Sequence, residues 1–515
     1  MSLDSSVDQP ITTPTVNGTA DTSINRMATG AWISLFGIGL GRGLELVKQI
    51  ALARLLGPEA FGLYAIGWNL LRIVGILAPS GLQNGVVHFG MQYWRKDNPA
   101  LRSILTRSVL LSFAIGWGIT GVLLILAPWI TAGLFKEPEF LPLFRIFALM
   151  LPFMGALSVT ANATRITKRM IFAMASEQVG QGTLNLILFI ALYLIGWHLL
   201  GAIVATVVSF AAAFSLSLYF LWRLFAPVFT EPSRSAISTR ALLAYSLPTA
   251  LASMFGVIIN RVDRLFLGYY WPSEEVGVYQ AAAQLSVILA MILNAFNMIL
   301  MPMIAEQYHK RDMKQLEELY RVNTKWGIYC VVPVALVIFF AAGDVMTVLF
   351  GSQYTRGAAA LLILTVGQFI NIATGATGII LVMTGRQTAW LRLSMLIVVV
   401  NLTLNLALIP TWGMNGAAVA TSLTVGGLFA LGLIVVHHIH HIWPYDRRYL
   451  KGVIATIITA ALLGGVRLLH LGSTLNLLMT TLAAAGSFYG LLLLLGLDVE
   501  DHTFIKSILR RVGKK

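Results

Sequence analysis

Stretches of about 20 apolar residues recur from Ala31 to Gly496, and this recurrence constrains the fold more than any other feature. In hydrocarbon every backbone N–H and C=O must find its partner within the chain, so such stretches form helices. Barrel strands would show short alternating segments instead, and these runs do not alternate. Spans are expected near 29–53, 60–89, 104–132, 140–164, 170–196, 199–225, 241–268, 275–304, 322–349, 357–383, 389–410, 413–436, 451–469 and 474–497. The expected fold is an all-α polytopic membrane protein of about 14 transmembrane helices.

The net charge of +14 does not point to nucleic acid, because the cations fall in short loops between spans. One side of the membrane holds Arg95, Lys96 and Arg102, then Arg165, Lys168 and Arg169, then Arg223, Arg234 and Arg240. Lys310, Arg311, Lys314, Arg386, Arg392, Arg447, Arg448 and Lys451 continue the same side. The other side has only Arg54, Lys136, Arg356 and Arg467. That asymmetry predicts a multi-pass protein with both termini cytoplasmic, and it requires an even span count. Residues 1–28 contain one basic residue, Arg26, and no apolar core. They read as a disordered cytoplasmic tail rather than a cleavable signal peptide. The single cysteine, Cys330, cannot form an internal disulfide.

The two halves match at one offset. Gly62-Leu63-Tyr64 corresponds to Gly277-Val278-Tyr279, and Arg95-Lys96-Asp97 to Lys310-Arg311-Asp312, both 215 residues apart. Leu134-Phe135 and Leu349-Phe350 keep that offset, as do Gly201–Thr206 and Gly416–Thr421. Each repeat holds six spans, so both cross the membrane in the same sense, with a symmetry axis along the membrane normal. The expected organisation is an N-lobe at 29–225, a cytoplasmic linker at 226–240 and a C-lobe at 241–440. Two extra spans at 451–497 and a basic cytoplasmic tail at 498–515 follow.

Leu52-Ala53-Arg54-Leu55-Leu56-Gly57-Pro58-Glu59-Ala60-Phe61-Gly62-Leu63-Tyr64 closes the first span, and Asp263–Gly268, Val276–Tyr279 and Leu300-Met301-Pro302 lie in the second lobe. With six plus six plus two spans, the chain resembles the polysaccharide flippases. These are the O-antigen and exopolysaccharide translocases of the multidrug/oligosaccharidyl-lipid/polysaccharide exporter superfamily. The resemblance covers residues 30 to about 440. The related lipid II flippases carry basic residues six apart in the first span and another in the second, lining a central cavity that is thought to hold a lipid diphosphate. Arg42, Lys48 and Arg72 match those positions. A further arginine expected in the eighth span has no match, because Gln280-Ala281-Ala282-Ala283-Gln284 offers only glutamines. The resemblance therefore implies a lipid-linked glycan other than lipid II.

Charge at membrane depth costs about 2.5–3.5 kcal/mol even on the mildest insertion scales, so it marks a partner, a wet cavity or an anionic ligand. Arg42, Glu45 and Lys48 span about 120° of a helix turning roughly 100° per residue. One reading pairs Arg42 with Glu45 at i, i+3. The other makes Arg42, Lys48 and Arg72 a cationic surface for a diphosphate, since guanidinium groups fork onto two oxygens. Positions 257 and 287, equivalent to Arg42 and Arg72, are both Val, which assigns that surface to the first lobe alone. Arg261, Asp263 and Arg264 lie toward the outer end of the seventh span. They read either as interfacial charges or with Arg261 as a substrate or gating residue and Asp263, like Glu45, as an ion-coupling or gating group. Glu177 in the fifth span is open to both readings. His437, His438, His440 and His441 end a span beside Trp443 and Tyr445 and read as interfacial rather than as a metal site.

The resemblance implies a transporter that flips an undecaprenyl-diphosphate-linked oligosaccharide by alternating access of two lobes. Its setting would be a bacterial or archaeal cytoplasmic membrane. The chain would act as a monomer among membrane lipids, beside glycan polymerase and glycosyltransferases. The sequence contains no P-loop, so an ion gradient or membrane potential is the expected energy source and no cofactor is expected. A multidrug exporter of the same superfamily is the alternative, although cationic drugs call for an acidic cavity. A membrane glycan polymerase or ligase would need an acidic pair facing outside. Glu137 with Glu139 and Glu274 with Glu275 lie in short turns without an enclosing loop.

Overall fold

The computed structural model describes residues 17–232, 237–468, 472–496, 498 and 501, with side chains from residue 39 onward except 252 and 253. Arg234 and the segment Lys506–Lys515 lie outside the described residues. Every regular element among the described residues is helical, as backbone satisfaction in lipid demands. Eleven helices are long and apolar enough to cross a membrane.

Two of the eleven, Gly39–Tyr93 and Gln387–His440, are each long enough for two crossings. The first breaks at Gly57, whose φ is +76°, just before Pro58. The second breaks at Gly413, with φ +54°. Glycine accepts positive φ without a Cβ clash, and proline has no N–H to lose, so the chain reverses within a few residues. The pairing across each break confirms the reversal: Lys48 faces the Trp68 ring, and Asn401 donates to Thr424. The fifth span, 170–194, is built in three consecutive pieces around a π-helical segment, Met174–Gly180. Counting the two hairpins as two spans each, together with this interrupted one, gives fourteen.

The helix that carries the first span begins at Asn17, so the expected disordered tail is too long at its C-terminal end. Extending an existing helix adds a hydrogen bond for each residue fixed, without a new nucleus, and polar residues can follow the apolar span outward. Residues 1–16 lie outside the described residues.

The 215-residue offset reappears as geometry. A Cβ added at Gly62 would stand 1.7 Å from the Ser273 carbonyl oxygen, and one at Gly277 would stand 2.0 Å from that of Pro58. Gly62 and Gly277 are equivalent positions, and so are Pro58 and Ser273. The contact is therefore reciprocal, as a two-fold axis requires. Tyr64 hydrogen-bonds Thr206 at 3.0 Å, and the equivalent Tyr279 and Thr421 hydroxyls lie 3.5 Å apart. Spans two and eight thus meet at the axis, each tied to the sixth span of its own repeat.

The last two spans, Tyr449–Arg467 and Ser473–Leu494, pack on the ninth, Met313–Phe350. Phe488 sits edge-on to Tyr329 with centroids 6.1 Å apart. Asp498 and Asp501, just after the final span, are docked on the ninth span. Lys325, 1% exposed, bonds Asp498 and Asp501 at 3.0 Å each.

Candidate functional site

The interior charges converge where spans one, two, seven and eight meet. Lys48 is 1% exposed. Its ammonium lies 2.6 Å from the Glu45 carboxylate, one turn earlier. Gln49 donates to the other Glu45 oxygen at 3.0 Å. Glu45 therefore pairs with Lys48, not with Arg42 as the i, i+3 alternative has it. Both spacings are three residues, but only Lys48 is turned into the protein, where an unpaired ammonium would be costly. Arg42 is exposed and has no ion-pair partner among the described residues.

Trp68 organises the cations from the second span. The Lys48 ammonium is 5.1 Å from its ring centroid and the Arg72 guanidinium 5.3 Å from it, each a cation–π arrangement. The only hydrogen-bond partner of Arg72 among the described residues is the Met154 sulfur at 3.7 Å, a weak acceptor. Arg72 lies within electrostatic reach of Glu45, Glu177 and Arg42. Glu177 comes from the π-helical segment of the fifth span, which is held close to the first span by the approach of Gln178 to Gly41.

The second lobe contributes as well. The seventh span is broken between Ile259 and Val262, and Arg261 caps its outer piece. Instead of reaching for the interface, Arg261 donates to Asn69 of the second span at 2.8 Å. Asn69 donates to Gln280 at 3.3 Å, and Gln280 also accepts from Arg264 Nε at 3.1 Å. Arg261 lies within electrostatic reach of Arg72. The expectation of a cationic surface confined to the first lobe is thus corrected. Comparing only positions 257 and 287 missed a cation that enters through a helix break.

Asp263 is completely buried. One of its oxygens accepts from the Arg264 backbone at 2.9 Å and from Arg264 Nη1 at 2.8 Å. The other accepts from Tyr279 at 2.6 Å and Thr421 at 2.9 Å. Four donors fill a carboxylate's acceptor capacity, so this geometry makes Asp263 a structural anchor and leaves no lone pair for a coupling ion. With Lys48 matched to Glu45 and Arg264 to Asp263, three arginines of the cluster remain without an ion pair among the described residues: Arg42, Arg72 and Arg261. Trp68, Asn69 and Gln280 join them, and nothing in their residue type announced that role. A signal was nevertheless present in the repeat: Lys48 and Asp263 are exactly one offset of 215 apart, and both are buried charges.

Residues 51–359 match the polysaccharide biosynthesis protein family. The chain belongs to that family. It is similar to the probable low-salt glycan biosynthesis flippase Agl15 of Haloferax volcanii, 24% identical over 262 residues, which is 50% of this chain and 53% of that protein. It is similar to the Lipid III flippase of Escherichia coli, 25% identical over 406 residues, 76% of this chain and 94% of that protein. The chain spans little more than half the length of Agl15, and 61% and 60% of a capsular polysaccharide biosynthesis protein and a succinoglycan biosynthesis transport protein. Among solved structures, the Lipid II flippase MurJ in its inward closed conformation superposes with a TM-score of 0.68 at 13% identity, over 88% of this chain and 98% of that one. At that identity the likeness establishes the fold, that of a polytopic helical membrane protein.

Proposed function

We propose that the chain flips a diphosphate-linked oligosaccharide on an undecaprenyl carrier from the cytoplasmic to the outer leaflet, by alternating access of two lobes. The N-lobe would be 29–225 and the C-lobe 241–440, with both termini cytoplasmic. The observation that carries this reading is the set of three arginines without carboxylate partners, Arg42, Arg72 and Arg261, drawn from both lobes toward one interface. A diphosphate offers each guanidinium a pair of oxygens. Charges left uncompensated inside a membrane protein call for an anionic ligand, and a cationic drug would be repelled. The names borne by the relatives in glycan export support the same reading. No covalent step is needed. Glu177, close to Arg72, is the acidic group best placed to couple movement to an ion gradient. Glycosyltransferases and a glycan polymerase would supply and consume the cargo.

Replacing Arg72 or Arg42 with Ala is expected to abolish glycan export while the protein stays inserted and abundant. Arg42→Lys should keep part of the activity, because the charge survives without the bidentate fork. Full export by Arg42→Ala, with Arg72→Gln also active, would refute the proposal.

A further inference from the structure

A cavity of about 530 Å³ lies away from the central cluster, at the basic-loop end of the first lobe. It opens between the ends of spans two and six and the start of span five. Arg95, Arg169 and Arg223 line it together with Trp94, Phe172 and Phe220. The two phenylalanines pack with centroids 5.1 Å apart, and Arg95 lies over the Trp94 ring at 5.8 Å. None of the three arginines has an ion-pair partner among the described residues, and all are exposed to whatever fills the space. Beside the cavity Ile171 and Trp222 are exposed apolar surface, 55% and 59%, as suits side chains facing lipid.

The positive-inside effect explains cations on this face but not their convergence on a cavity. The repeat separates the two. One offset away, Lys310 replaces Arg95 and is bound by Glu306 at 2.5 Å. Thr384 replaces Arg169 and bonds His440 at 3.0 Å. His438 replaces Arg223. The second lobe has the same topology without the three free guanidiniums.

We propose that this cavity binds the headgroup of a lipid bearing two phosphates in the adjoining leaflet. Three free guanidiniums match a polyanion better than a single phosphate, and their forks suit phosphoryl oxygens. Basic pockets between spans at this level suit lipid headgroups, and the exposed Ile171 and Trp222 would meet the chains. Two lipids have this chemistry: a bisphosphate phospholipid such as cardiolipin, and a polyprenyl diphosphate. The site does not depend on the reading of the central cluster.

The test is native mass spectrometry of the purified full-length protein, titrated separately with cardiolipin and with undecaprenyl diphosphate. One molecule of at least one of them should be retained. Its affinity should fall at least ten-fold in R95Q/R169Q/R223Q and by a smaller factor in R169Q alone. The charge-matched variant R311Q/K314Q/R392Q on the same face should retain it; the undecaprenyl diphosphate titrations are made in an R72Q background, which removes binding of that lipid at the central cluster. Retention of cardiolipin only identifies a phospholipid site; retention of undecaprenyl diphosphate only identifies a waiting position for a lipid diphosphate. Retention of neither, equal loss in the charge-matched variant, or equal retention of the single-phosphate phosphatidylglycerol would overturn the proposal.

Discussion

The reciprocal contact of Gly62 and Gly277 makes the junction between lobes sensitive to a single methyl group. An alanine at Gly62 would place its Cβ 1.7 Å from the Ser273 oxygen, and one at Gly277 would place it 2.0 Å from the Pro58 oxygen. Both obstacles are backbone, so no side chain can rotate away. Spans two and eight must part by about 1.4–1.7 Å to reach ordinary contact. Overpacking of this kind costs about 1–3 kcal/mol, which corresponds to roughly a 5- to 150-fold shift between two conformations. The junction is also where Arg54 reaches across to the Leu349 carbonyl at 2.8 Å and Tyr354 donates to the Ala53 carbonyl at 2.8 Å. Either Gly→Ala change should therefore loosen this seal. Ala53 is completely buried there. With Cys330 replaced by Ala and a cysteine placed at position 53, the rate of labelling by a membrane-impermeant thiol reagent reports the opening. Gly62→Ala and Gly277→Ala should each raise that rate, within the range above. Because the first methyl already separates the spans, the double variant should fall well short of additive. Unchanged labelling in both single variants, or full additivity in the double, would refute the reciprocal-contact argument.

Asp263→Asn should lower abundance and thermal stability rather than act on export alone. It leaves the Arg264 charge buried without its partner, a loss of about 3–5 kcal/mol, readable as a fall in melting temperature that Arg72→Ala does not share. Burial pushes the Asp498 carboxyl up, but hydrogen bonds and charge from Lys451 and Lys325 outweigh it and hold it below the usual carboxylate range. A depressed folded-state value stabilises docking above the ordinary carboxylate pKa of about 4 and loses that contribution as pH falls through the lowered value. Proteolysis or hydrogen exchange of the last two spans should accelerate in that acid window and not between neutral pH and pH 6; an Asp498→Asn variant should lack the transition. Deleting residues 1–16, which are polar and contain no basic side chain, should leave export and abundance unchanged; loss of export at normal abundance would reveal a role for them.

Much of the architecture was legible because the bilayer imposes one-dimensional rules. Apolar run length, loop charge and a constant offset are properties of the chain read in order, and they specified helices, an even span number and two parallel repeats. The turns at Gly57-Pro58 and Gly413 were written in residue type. The candidate site was legible only in part. Arg42, Lys48 and Arg72 stand out as charges at membrane depth, yet three-residue spacing alone could not say which cation takes Glu45. That choice belongs to the rotation of the first span, which buries Lys48 beside Glu45 and leaves Arg42 exposed. The inward turn of Arg261 onto Asn69, the enclosure of Asp263 by Arg264, Tyr279 and Thr421, and the meeting of Lys48 and Arg72 at Trp68 join residues far apart in sequence. Periodicity carries no information about such contacts. They exist because two lobes close around a pseudo-two-fold axis, and only the packed structure decides which side chains face each other there.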